Sequence, residues 1–116
     1  MLLSATTITQ SLVVSVQALC DVYILNATAG RVQINLPQTG VVVGTMLIFI
    51  RKDGATDNRA VVSCGTGGKI MGKFSRGGSH VGTKIQLYRR GARVWLANSG
   101  IQKEWLIVSD ESVAKE

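Results

Sequence analysis

His80 is the only histidine in the chain and the first residue to weigh for acid–base chemistry. It sits in Arg76-Gly-Gly-Ser-His-Val81, between Asp57 before it and Glu104 after it, with no acid nearer. A general base needs a carboxylate to hold it and a nucleophile beside it, and this stretch supplies no carboxylate. Cys20 and Cys64 stand far apart, outside any CxxC pair and away from His80. One histidine and two distant cysteines do not close a structural zinc site. Asp53 and Asp57 share a loop but lack the calcium-loop series of oxygen ligands, so they read as turn formers. We therefore expect no enzyme activity, no metal and no cofactor.

Cys64-Gly-Thr-Gly-Gly-Lys69 is the nearest approach to a phosphate-binding loop. A P-loop needs glycine where Ser63 stands and Ser or Thr where Ile70 stands, and the dinucleotide fingerprint also fails at position 70. These glycines read as tight-turn residues. Arg76-Gly77-Gly78 is a single RGG unit, and Phe74, between Lys73 and Arg76, is the best candidate for stacking on a base. With two Phe, two Tyr and two Trp in all, the stacking platform of a nucleic-acid-binding sheet is missing, which argues against direct nucleic-acid binding.

The net charge of +6 is unevenly placed. Eleven Lys or Arg lie between Arg31 and Arg93, against Asp53 and Asp57, whereas Glu104, Asp110, Glu111 and Glu116 gather near the end. This distribution suits either a solvated surface or a basic face steered toward an acidic partner. Arg89, Arg90 and Arg93 cluster at one turn and are the candidate contact residues.

The elements that would carry these residues read as short strands. Leu12 to Val16 and Asp21 to Leu25 are β-branched and bounded by polar residues. A helix over 8–25 competes, because Ile8, Leu12, Ser15 and Leu19 fall at helical spacing, but Val and Thr disfavour it. Arg31 to Leu36 alternates strictly before Pro37 ends the ladder. Met46 to Ile50 is apolar on both faces, the mark of a central strand between two layers. Further strands fall at Ala60 to Ser63, Lys69 to Met71, Lys84 to Tyr88, Arg93 to Ala97 and Trp105 to Val108, with Arg89-Arg-Gly-Ala92 closing a hairpin. Phe49, Trp95 and Trp105 are the expected core anchors.

The pattern predicts an all-β, single-domain β-sandwich or jelly roll of about eight or nine short strands. Residues 1–11 are expected as an N-terminal arm, 12–109 as the domain and 110–116 as an acidic tail. No repeat is visible, which argues against a solenoid. No basic n-region precedes the first apolar residues, and no apolar run reaches the roughly 20 residues that span a bilayer. We expect a soluble, unprocessed chain with reduced cysteines and no membrane partner.

Leu36-Pro37, Gly44, Ile48-Phe-Ile-Arg-Lys-Asp53, Asn58, Val61-Val62, Gly68-Lys-Ile-Met-Gly72, Ile85-Gln-Leu87, Gly91 and Trp95 follow one another in a telling order. Residues 31–97 thereby resemble virion β-proteins of tailed bacteriophages: capsid decoration (cement) proteins, head fibres and tail-fibre domains. The pattern departs at Arg90-Gly-Ala-Arg93, where that family carries an Asp-Gly pair and small polar residues. The resemblance implies a structural decoration protein, made in the host cytoplasm and bound to the outer capsid surface. Its implied partners are the major capsid protein and further copies of itself, as a homodimer or homotrimer. The alternative it leaves open is a tail-fibre or spike module that binds a host-surface receptor, through the glycine-rich segment 65–82.

Overall fold

A computed structural model describes residues 4–10, 12–13, 20–39, 41–54 and 57–116. Twelve strands run through them, more than the eight or nine expected: β1 Ser4–Ile8, β2 Leu12–Val13, β3 Cys20–Leu25, β4 Val32–Asn35, β5 Met46–Arg51, β6 Ala60–Ser63, β7 Lys69–Phe74, β8 Gly78–Gly82, β9 Lys84–Leu87, β10 Arg93–Asn98, β11 Glu104–Glu111 and β12 Val113–Lys115. They form a seven-stranded sheet, ordered β1-β3-β5-β10-β11-β7-β8, and a five-stranded sheet, ordered β12-β9-β6-β4-β2. The 1–11 segment expected as an arm thus supplies β1, and the acidic tail supplies the end of β11 and β12.

The first six strands alternate between the two sheets. β1, β3 and β5 stack in parallel in one sheet, and β2, β4 and β6 stack in parallel in the other. Parallel neighbours need a crossover connection, and here each crossover passes through the opposite sheet. The result is three turns of a two-sheet coil, a solenoid-like start that the missing repeat had argued against. Stacked positions run Ser4, Asp21, Leu47 on one side and Leu12, Ile34, Val62 on the other. Their separation in sequence changes from turn to turn, so no fixed period marks the coil.

The second half closes the sheets mainly by antiparallel pairing. β10 joins β5 to β11, β9 joins β6 to β12, and β7 and β8 form a hairpin. β9 and β10 lie in different sheets. The Arg89-Arg-Gly-Ala92 turn is therefore a crossing between sheets and not the expected hairpin, with Gly91 taking its positive φ of 81°. β7 lies parallel to β11, and Gly72 permits that approach: a Cβ there would fall 2.9 Å from the Ile107 Cβ, at a φ of 148°.

Both sheets contribute to one core. Leu25, Leu47, Phe49, Ile70, Val94, Leu96 and Trp105 from the larger sheet meet Val32, Ile34, Val62, Ile85 and Leu87 from the smaller one. Phe49 and Trp105 are fully buried, as expected of anchors, whereas Trp95 faces outward and is 39% exposed. In β10, Val94 and Leu96 take the inward positions, and period-two alternation sends Trp95 to the other face. Phe74, the stacking candidate, is buried against His80, with ring centroids 4.9 Å apart.

One charged pair enters this core. Arg51 ends β5 at an inward position and is 2% exposed. Its Nε and Nη2 donate to Asp53 Oδ1 and Oδ2 at 3.2 and 3.1 Å. Nη1 donates to the Leu87 carbonyl at 2.8 Å and Nη2 to the Asn58 carbonyl at 2.7 Å. Asp53 Oδ1 also accepts the Ala27 N–H at 2.9 Å, and the Asn58 amide donates to the Ala27 carbonyl at 2.8 Å. Arg51→Met leaves the Asp53 carboxylate buried without its guanidinium and is expected to cost about 3–5 kcal/mol in urea unfolding. Adding Asp53→Asn keeps an acceptor for the Ala27 N–H without a buried charge, and should recover part of that loss.

His80 is buried, and its Nε2 has no hydrogen-bond partner among the described residues. Burial, and secondarily the Lys115 charge, lower its pKa from the usual 6.5. Folding therefore favours the neutral ring, and this stability is complete above pH 6.5 and falls as pH drops toward the folded pKa. Burial alone would raise the Glu116 carboxyl, but the Arg31 hydrogen bond and charge, with Lys84 and Arg59, hold it below its usual 4.5. Its loss of stability thus falls at more acidic pH than that of His80. The melting temperature should decline from pH 7 to pH 5, and His80→Leu should flatten that decline.

Candidate functional site

The outer face of the seven-stranded sheet is where the pattern departs most from a solvated surface. An antiparallel or mixed sheet with one wet face normally alternates apolar-in and polar-out. Here an apolar residue takes an outward position on each of six neighbouring strands. One row runs Val22, Ile48, Trp95 across β3, β5 and β10. A second runs Met46, Ala97, Leu106, Met71, Val81 across β5, β10, β11, β7 and β8. Ile24 and Ile50 begin a third, which continues through Arg93 to Glu111. Met46, Ile48 and Ile50 are half-buried by their neighbours. The doubly apolar β5 thus lies centrally in its sheet, but no second layer covers its outer side among the described residues.

A β-bulge sharpens the face. Trp95 pairs with Ser109 and the next residue, Leu96, pairs with Ile107, so Val108 is the extra residue on β11. Bulges re-aim side chains, and Val108 is 55% exposed beside Leu106. A shallow cavity of about 290 Å³ opens against Trp95, lined by Ile48, Arg93, Val94 and Ser109. The face has a charged border: Arg93 at the end of β10 with Glu111 opposite it, and Lys69 and Lys73 on β7 with Glu104 opposite Lys69.

The three candidate arginines do not act as one cluster. Arg89 is tied down, its Nε donating to Ser112 Oγ at 2.6 Å and its guanidinium 4.0 Å from the exposed Glu111 carboxylate. Arg90 lies over Gly54, where a Cβ would come within 3.7 Å of its guanidinium. Arg93 alone joins the apolar face. The sequence signal for this face was present in Met46 to Ile50 and Val94 to Leu96, where both faces of a strand are apolar.

The other candidates do not build a reactive centre. Among the described residues, no three His, Cys, Asp or Glu side chains lie close enough to hold a metal ion. The Cys64 thiol is buried and donates to the Thr83 carbonyl at 3.4 Å, and burial raises its pKa. Gly68 packs on it so closely that a Cβ would sit 2.8 Å from its Sγ. Cys20 lies on β3 and its side chain falls outside the described residues. Tyr23, stacked on Phe49, has its hydroxyl pushed up to about 12 by burial and by Asp21, which accepts its proton at 3.3 Å. No family model matches the chain, and no curated protein is significantly similar to it.

The two indoles should separate in solution. Iodide is expected to quench Trp95 and spare Trp105, and Trp95→Phe should abolish the quenchable emission. Because Trp95 packs on the outer face only, Trp95→Ala should change unfolding free energy by less than about 1 kcal/mol.

Proposed function

We propose that this chain is a structural virion protein, a decoration protein that lays the outer face of its seven-stranded sheet on the outer surface of an assembled capsid. The observation that carries the proposal is the apolar face centred on Trp95, Leu106 and Val108. Exposed apolar patches of this breadth on a rigid scaffold mark protein interaction surfaces, and aromatic residues with arginine at the rim are the usual energetic centres. The resemblance of residues 31–97 to phage virion proteins supports the capsid as partner, and the mixed charged border, Arg93 facing Glu111 and Lys69 facing Glu104 beside Lys73, would fix the register of docking. We read the two sheets as a β-sandwich and the copies as dimers or trimers about a capsid symmetry axis. A protein that binds the assembled lattice and not its free subunits stabilises the lattice by linkage. No chemistry is required of it.

Co-sedimentation with assembled capsids lacking this protein tests the reading. Saturable binding at a fixed number of copies per capsid subunit is expected, weakening as salt rises. Trp95→Glu should abolish it while leaving the melting temperature nearly unchanged. Absent binding, or binding indifferent to Trp95→Glu, would overturn the assignment of this face.

A further inference from the structure

The opposite side of the molecule carries a different surface. On the outer face of the smaller sheet, Asn35, Ser63 and Lys84 form one cross-strand row over β4, β6 and β9. The Gly65-Thr66-Gly67 turn rises beside them, and together with Gln33 and Thr83 they border an open cleft of about 400 Å³. That volume lies within the range of small-molecule sites and is far larger than an inorganic anion needs.

The polar groups of the cleft are aimed. Arg31 Nη2 donates to Gln33 Oε1 at 3.0 Å, and Gln33 Nε2 donates to Asn35 Oδ1 at 3.0 Å. This relay fixes the Asn35 amide, whose Nδ2 hydrogens have no acceptor among the described residues. Ser63 is 3% exposed, and its Oγ accepts the Gly65 N–H at 3.2 Å, which leaves its own proton without an acceptor among the described residues. The hydroxyls of Thr66 and Thr83 and the Lys84 ammonium complete the lining. Among the described residues, no carboxylate lines the cleft. Glu116 feels the Lys84 charge, but it is already held by Arg31 at 2.9 Å and Arg59 at 3.6 Å. Donors therefore exceed acceptors, and the surrounding charge is positive.

We propose that this cleft binds an acidic saccharide unit, its carboxylate at Lys84 and Asn35 and its hydroxyls at Ser63, Thr66 and Thr83. Charge-assisted hydrogen bonds from Lys84 supply the anion preference. Among the described residues, no aromatic or large apolar side chain lines the cleft, so they offer a nucleobase no surface to stack on. Amides and hydroxyls on a rigid sheet instead match a ring bearing many hydroxyls. The site lies on the sheet face opposite to Trp95, so it stands independently of the capsid-docking proposal.

The test is a titration of the full chain, followed by amide NMR shifts, with galacturonate dimers, glucuronate and N-acetylneuraminate. Cellobiose, inorganic sulfate and a thymidine oligonucleotide are the comparison probes. At least one acidic sugar should shift residues 33, 35, 63, 66, 83 and 84, with cellobiose much weaker. Lys84→Ala and Asn35→Ala should each weaken that binding about tenfold without lowering the melting temperature, and Trp95→Glu should leave it unchanged. The proposal is overturned if no acidic sugar binds up to about 10 mM, or if cellobiose binds as well. It is equally overturned if sulfate or the oligonucleotide outcompetes the sugars, or if both cleft substitutions leave binding intact.

Discussion

The fold depends on an arginine that cannot be left unsatisfied. Arg51 reaches the end of β5 on the inward side, where a guanidinium is tolerable only with its donors occupied. Asp53, the Leu87 carbonyl and the Asn58 carbonyl occupy them. These partners belong to two segments where the chain passes between sheets, 51–60 and 87–93; a third such segment is 25–32. Asp53 and Asn58 extend the network to Ala27. Three crossings are thereby pinned at one end of the molecule, and the Arg51 backbone adds bonds to Gly91 and Ala92 there. An apolar residue at this place would bury as readily but would direct nothing; the guanidinium fork dictates where each crossing must pass.

Once the crossings are set, the two outer faces are free to diverge. The smaller sheet turns outward a linked polar array, Arg31, Gln33 and Asn35 with Glu116. The larger sheet turns outward Trp95, Leu106, Val108 and Val81. Both rest on the same buried core, so neither face contributes much to the stability of the other. A surface whose side chains are not needed for folding is available for recognition.

The glycine-rich middle serves packing more than flexibility. Gly68 lets the 64–68 turn close over the Cys64 thiol, and Gly72 lets β7 lie against Ile107 of β11. That closure forms one wall of the polar cleft and also delivers Met71 and Val81 to the opposite apolar face. One stretch with no catalytic motif thus shapes both candidate surfaces.

Much of the local structure was legible in the residues. Alternation in Val32 to Asn35 and Lys84 to Leu87, the β-branched runs and the glycine turns specified strands, and they specified which side of each faces the core. Phe49 and Trp105 were readable as anchors from their size within apolar runs. Sheet membership was not legible, because a period-two pattern is local while pairing joins residues far apart. Neither the coiled start nor the crossing at Arg89 to Ala92 could be read from it. Where neighbours are all apolar, as in Val94-Trp95-Leu96, alternation names two faces without saying which is inside, and only the pairing of β10 between β5 and β11 turned Trp95 outward. Arg51 shows the limit most clearly: its type and position predict a solvated strand end, and its burial was decided by partners at 53, 58 and 87 that only the tertiary structure brings together.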